Sequence, residues 1–246
     1  MTWSRPDDVL RAVAPLLAFN SVYFGDHVRV FDQDRNGERT EYIMARIALI
    51  GASGRAGSRI LKELSDRGHT VTAIARNPEK IASLPKATAK KGDVWNKDGL
   101  VELLHGHDAA VSAVHFSASD AKILIEAVRA SGVKRYLVVG GAGSLEVAPG
   151  KRLVDQPDFP AAYKAEALKG AEFLDLLKGE KELDWTFLSP SALFVEGERT
   201  GKFRLGKDSL LTNDKGSSIS FADYAIALVD EIEKPAHSRR RFTVGY

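Results

Sequence analysis

The chain has 246 residues with 35 basic and 33 acidic side chains, a net charge of +2 and no cysteine. That length suffices for one α/β domain with a large core, and the balanced charge excludes the basic field that gripping nucleic acid or an anionic membrane requires. The lack of cysteine excludes disulfides, thiolate metal sites and thiol nucleophiles, which fits a reducing, cytoplasmic setting, and no apolar run approaches the ~18 residues of a membrane span.

Residues 1–43 precede the first strand of the main pattern, and the only methionines are Met1 and Met44. The segment reads as an N-terminal extension of unknown role, with the working domain expected over 44–246. A helix is expected over Asp7 to Phe19, a strand near Val28 to Phe31 and a turn at 34–37. Asp7 and Asp8 ahead of the apolar run Ala12 to Phe19 argue against a signal peptide.

The chain's most informative stretch follows, Arg46-Ile-Ala-Leu-Ile-Gly51-Ala-Ser-Gly54-Arg-Ala-Gly57. Ile47, Leu49 and Ile50 have the character of a buried parallel strand. Gly57, Ile60, Leu61 and Leu64 then recur at helical spacing, so a strand runs through three glycines into an amphipathic helix. In that context glycines allow a tight turn, close backbone approach to a pyrophosphate, and close packing of the helix on the sheet. A phosphate then meets the free N–H groups of the helix N-terminus. The turn, Gly51, Ser53, Gly54, Arg55, Ala56 and Gly57, is therefore expected to bind a dinucleotide. Its G-x-x-G-x-x-G spacing resembles the short-chain dehydrogenase/reductase superfamily, and more closely its extended and atypical branches.

A second strand, Val71 to Ala75, ends at Arg76, where an acidic residue would select NAD by accepting from the ribose 2′-hydroxyl. A guanidinium instead forks onto a 2′-phosphate, so NADP (NADPH) is the expected cofactor, with NAD possible and a solvated turn arginine as the alternative. A helix is expected over Pro78 to Leu84, then a strand near Thr88 to Lys91 that closes in Gly92-Asp93-Val94. The family resemblance implies that Asp93 accepts from the adenine amino group and Val94 covers the ring; otherwise Asp93 caps the next helix. His105 and His107 lack a completing ligand and read as loop histidines, with no metal site.

The fourth strand, Ala109 to Val114, ends where the superfamily runs its backbone beneath the ribose and nicotinamide, which places Ser112, Ala113 and Val114 at the cofactor. His115 and Phe116 point toward the same cleft or pack at a strand end. After a helix over Ala118 to Ser131, the strand Val133 to Val139 closes in Gly140-Gly-Ala-Gly-Ser144. The resemblance implies Gly140 beneath the cofactor and Ser144 at the substrate carbonyl, against an incidental serine in a glycine loop. An irregular stretch from Leu145 to Pro160 precedes a helix over Ala161 to Lys178 with Ala167, Ala171, Leu174 and Leu177 on one face. It opens with Tyr163-Lys164, where the superfamily carries a Tyr-x-x-x-Lys proton donor. Four positions on stands Ala167, so the conventional pair is broken, as in NmrA-like and flavin-reductase-like relatives.

A sixth strand, Asp184 to Leu188, leads into Ser189-Pro190, the resemblance's nicotinamide-side wall. Residues 189–220 read as the main substrate-side elements, with hairpin pieces at Lys202 to Leu205 and Ser209 to Leu211. Asp223 is expected to open a helix and brace the domain. Alternating strands and helices from residue 46 onward predict a doubly wound parallel sheet, a Rossmann fold with a small C-terminal substrate subdomain. The resemblance implies an NADPH-dependent reductase, monomer or homodimer, passing hydride to a flavin- or quinone-like small molecule. A non-catalytic NADP sensor and a nucleotide-sugar epimerase or dehydratase are the alternatives.

Overall fold

The structure, a computed structural model, describes residues 44–246 in full and, of residues 1–43, only the backbone of 20–24, 27–33 and 39–43. The chain divides into two compact units, Met1–Met44 and Ala45–Tyr246. In the smaller unit β1 (Asn20–Phe24), β2 (His27–Gln33) and β3 (Arg39–Met44) form an antiparallel sheet in that order. The strand read near Val28 to Phe31 is the middle of β2. The helix over Asp7 to Phe19 and the turn at 34–37 lie outside the described residues.

In the larger unit β4 (Arg46–Ile50), α1 (Arg55–Asp66), β5 (Thr70–Ala75), β6 (Ala87–Lys91) and α2 (Lys97–Leu104) build the first half. The second half runs β7 (Ala109–Ser112), α3 (Ala121–Ala130), β8 (Arg135–Val139), the short β9 (Glu146–Ala148) and β10 (Lys151–Arg152), then α4 (Ala161–Gly179) and β11 (Asp184–Pro190). It closes with β12 (Leu193–Val195), β13 (Arg204–Gly206), β14 (Ser218–Ser220), α5 (Phe221–Glu233) and β15 (Arg240–Gly245). The main sheet has the order β13-β15-β11-β8-β7-β4-β5-β6, parallel throughout except for β13 on β15. From β4 the chain winds outward to β6 and then returns to the other side of β4 as β7. This reversal makes the crevice beyond the ends of β4 and β7 the natural ligand position of a doubly wound sheet.

Period-two alternation explains the two layers. Along β4, Ile47 and Leu49 enter one apolar cluster with Ile60, Leu61 and Leu64 of α1 and Tyr224 and Leu228 of α5. Ala48 and Ile50 enter the opposite cluster with Leu100 of α2, Leu124 of α3 and Phe173, Leu174 and Leu177 of α4. Among the described residues no helix is long and apolar enough to cross a membrane.

Four local expectations are corrected. The helix over Pro78 to Leu84 is one 3-10 turn, Pro78–Lys80; Pro85 disfavours the helical region for Leu84, and Leu84 packs on the core instead. The helix expected from Ala118 starts at Ala121, because the Asp120 carboxylate caps it by accepting from the N–H groups of Lys122 and Ile123. The stretch from Leu145 to Pro160 contains the antiparallel β9–β10 pair. In the substrate-side segment β13 pairs with β15, and β12 pairs in parallel with β14, in place of a local hairpin.

Candidate functional site

The glycine turn is set by steric contact. Gly51 has φ +85°, and a Cβ on it would lie 2.5 Å from the Ala113 carbonyl oxygen. A Cβ on Gly57 would lie 2.1 Å from the Gly51 carbonyl oxygen. The N–H groups of Gly51 and Ala52 donate to the Ile74 carbonyl at 2.9 and 3.2 Å, tying the turn to β5. A Cβ on Gly54 would approach only the Gly51 and Ala113 oxygens, at 3.3 and 3.8 Å, so its other side is open. That open side belongs to a cleft of about 480 Å³. Gly54 caps α1 without a side-chain hydrogen bond, so the helix presents unsatisfied N–H groups there. These features fit a dinucleotide's pyrophosphate.

The cleft spans the reversal point. On the β5 side it is lined by Ile74, Arg76 and Val94, and at the first turn of α1 by Arg55. The Arg55 guanidinium lies 5.0 Å from the Phe221 ring centroid. Neither Arg55 nor Arg76 joins an ion pair among the described residues. On the β7 and β8 side the cleft is lined by Ala113, Val114, His115, Phe116, Gly140 and Pro190. Glu166 of α4 reaches the same wall, its carboxylate accepting the N–H groups of Phe116 and Ser117, each at 2.8 Å. His115 Nδ1 stands 3.4 Å from Glu166 Oε1. Burial pushes the Glu166 carboxyl up, but the hydrogen bonds from Ser117 and Phe116 and the charge of His115 outweigh it and hold it below the ordinary glutamate range.

Of the residues read from the sequence, Gly51, Ser53, Gly54, Arg55 and Ala56 line this cleft, as do Arg76, Val94, Ala113, Val114, Gly140 and Pro190. Gly57 stands behind the turn and Ser112 is buried in β7. Asp93 is exposed outside the lining, where its Oδ1 accepts the Trp95 N–H at 3.0 Å; the cap of α2 is Asn96. His107 is engaged by Thr72 and the Leu104 carbonyl, and His105 by the Ser131 carbonyl.

The three candidate catalytic residues are not brought into the cleft. Ser144 is buried, and its Oγ accepts from the Arg241 guanidinium at 2.9 Å, which also donates to Asp208. Tyr163 is 67% exposed on the first turn of α4, with Lys164 exposed beside it. Ala167, four residues on, packs on the glycine loop, where a Cβ added to Gly143 would meet it at 2.7 Å. Ser144→Ala is accordingly expected to cost about 1 kcal/mol of stability in a denaturant melt and to leave dinucleotide binding within a factor of about three. Sequence reasoning missed Glu166, Phe194 and Phe221 in the lining; one available signal was that Glu166 stands one helical turn after Tyr163.

Asp223 is fully buried at the start of α5. Its N–H donates to Ser220 Oγ, and its carboxylate accepts from Thr200 N–H and Oγ, the Gly201 N–H and the Tyr246 hydroxyl. It therefore straps the 198–201 segment to the fold. Burial pushes this carboxyl up, but the hydrogen bonds from Thr200, Gly201 and Tyr246 prevail and hold it below the ordinary aspartate range. A carboxyl lowered by folding stabilises the protein above its unfolded value of about 3.9 and loses that contribution as pH falls through the folded value. Urea midpoints are expected to fall from about pH 4 downward. Asp223→Asn should be less stable at neutral pH, with a shallower acid decline; parallel profiles would show that the strap does not titrate.

The parallel sheet, the glycine turn at its reversal point and the cleft beyond it define a Rossmann-type NAD(P)-binding protein. The chain belongs to the NAD(P)H-binding family, whose pattern matches residues 51–235. It is 44% identical to the uncharacterized protein YwnB of Bacillus subtilis over 210 residues, covering 81% of this chain and 97% of that one. A Bacteroides thetaiotaomicron structure provisionally named an epimerase is 44% identical with a TM-score of 0.78, covering 82% of this chain and 97% of that one. A Streptococcus pneumoniae structure provisionally named an NADH-flavin reductase is 38% identical with a TM-score of 0.69, covering 82% and 99%.

Proposed function

We propose that this protein is an NADPH-dependent reductase that passes hydride to a flat flavin- or quinone-like acceptor in the cytoplasm. The observation that carries the reading is the polarity of the cleft: the Arg76 guanidinium, with no ion-pair partner among the described residues, at the β5 end, and an apolar wall with one His–Glu pair at the β7 and β8 end. Arg76 would hold a 2′-phosphate, which favours NADPH over NADH. The N-terminal N–H groups of α1 would hold the pyrophosphate. When bound, NADPH supplies the hydride and its two electrons. The chain's own part is to fix the acceptor between Phe116, Pro190 and Ala192 and to exclude water, since positioning alone lowers such a barrier substantially.

The relative named for NADH-flavin reductase supports this acceptor class. A second reading, a dinucleotide sensor without turnover, is favoured by the exclusion of Ser144 and Tyr163 from the cleft lining. The two separate on one assay: purified protein, NADPH, and either FMN or menadione. Steady NADPH oxidation above the blank is expected. Tight NADPH binding with no oxidation across both acceptors would leave the sensor reading standing.

A further inference from the structure

Two-electron reduction of a quinone or flavin by hydride needs a proton as well, and the residues that supply it elsewhere in the superfamily lie outside this cleft. The ionisable side chains lining the cleft are Arg55, Arg76, His115 and Glu166. The arginines do not give up protons near neutrality. Glu166 is held in its ionised form by the Phe116 and Ser117 N–H groups, so it is a fixed acceptor. The buried Ser191 hydroxyl donates to the Val244 carbonyl at 3.2 Å and is committed there. His115 remains: it follows β7, lines the cleft, and has a side chain 86% exposed, with Glu166 its one ion-pair partner among the described residues.

Resting on the reductase reading, we infer that His115 is the proton donor to the acceptor and that Glu166 is its positioning residue. Glu166 Oε1 stands 3.4 Å from Nδ1, at ion-pair distance, so the carboxylate would favour the imidazolium from its Nδ1 side and leave Nε2–H directed away. The same carboxylate fixes the backbone on the C-terminal side of the histidine through Phe116 and Ser117, which restricts where the ring can stand. In the transfer, the Nε2–H bond breaks and an O–H or N–H bond forms on the acceptor. The two electrons would come to the acceptor as hydride from bound NADPH, and the neutral imidazole would recover a proton from water at its exposed side. The acceptor class follows: molecules whose reduced form carries a new proton on oxygen or nitrogen, such as quinones.

The test uses His115→Gln, which keeps a polar side chain at an exposed position and is expected to fold as the parent does. NADPH affinity by fluorescence titration should stay within a factor of about two, while menadione turnover falls by about 10²-fold or more at neutral pH, the usual share of a general acid. The descending alkaline limb of the parent's pH profile should disappear in the variant. Glu166→Gln should lower kcat by a smaller factor and leave KM for NADPH unchanged. Independently of turnover, carbethoxylation of His115 by diethyl pyrocarbonate, read by mass spectrometry, should be slowed by dicoumarol, a flat and non-reducible quinone-like anion. Unchanged kcat and an unchanged pH profile in His115→Gln, with the parent active, would overturn the His115 role and leave the reductase reading intact. A parent that binds NADPH and reduces nothing would overturn the reductase reading and this inference with it.

Discussion

Gly57→Ala is expected to abolish measurable NADPH binding and to lower the unfolding free energy by about 3 kcal/mol, at the upper end of overpacking costs. The added methyl would stand 2.1 Å from the Gly51 carbonyl oxygen, 2.9 Å from its carbon and 3.2 Å from the Ala52 Cα. All three are backbone atoms, so no side-chain rotation relieves the contact. The turn cannot retreat easily, because Gly51 and Ala52 are bonded to the Ile74 carbonyl and Gly51 already lies against Ala113. The helix cannot retreat easily either, because Ile60, Leu61 and Leu64 of α1 are buried in the core shared with α5. Something must shift at the N-terminus of α1, where the pyrophosphate is expected. Thermal melts and NADPH fluorescence titration check both effects, with the exposed neighbour Ser58→Ala as a control expected to stay within about 0.5 kcal/mol. Full NADPH affinity in Gly57→Ala would separate the turn from cofactor binding.

Charge should set the second large effect. Arg76→Ala is expected to weaken NADPH by roughly 10- to 100-fold, the worth of about 1.5–3 kcal/mol for hydrogen bonds to a charged group, and to change NADH by less than a factor of about three. Isothermal titration with each cofactor reads this directly. Equal losses for NADPH and NADH would remove the preference for the phosphorylated cofactor.

Much of the fold was legible because its demands are local. A buried strand, a turn that tolerates no side chain at Gly51 or Gly57, and a helix with Ile60, Leu61 and Leu64 on one face leave their marks within 20 consecutive residues. The place of Arg76 in the cleft could be read for the same reason, since the end of a parallel strand lies at the ligand crevice. The catalytic guesses rested on order alone and met long-range chemistry. Ser144 is turned to Arg241, 97 residues on, and nothing near residue 144 announces that partner. Glu166 finds the Phe116 N–H across 50 residues, and Asp223 holds Thr200 across 23, both through hydrogen bonds that leave no periodicity in the sequence. The helix over Pro78 to Leu84 failed on a local rule that was available, the restriction that Pro85 imposes on the residue before it.

The central claim is that the cleft across the β4–β7 reversal binds NADPH and passes its hydride to a flat acceptor. Single-turnover oxidation of NADPH bound to the protein, mixed rapidly with menadione, tests it most directly when the transferred hydrogen at C4 is replaced by deuterium. The account predicts loss of the nicotinamide absorbance in one phase, slower with deuterium than with hydrogen, and absent in Gly57→Ala. Retention of that absorbance with menadione and FMN alike, in a protein that binds NADPH tightly, would contradict it.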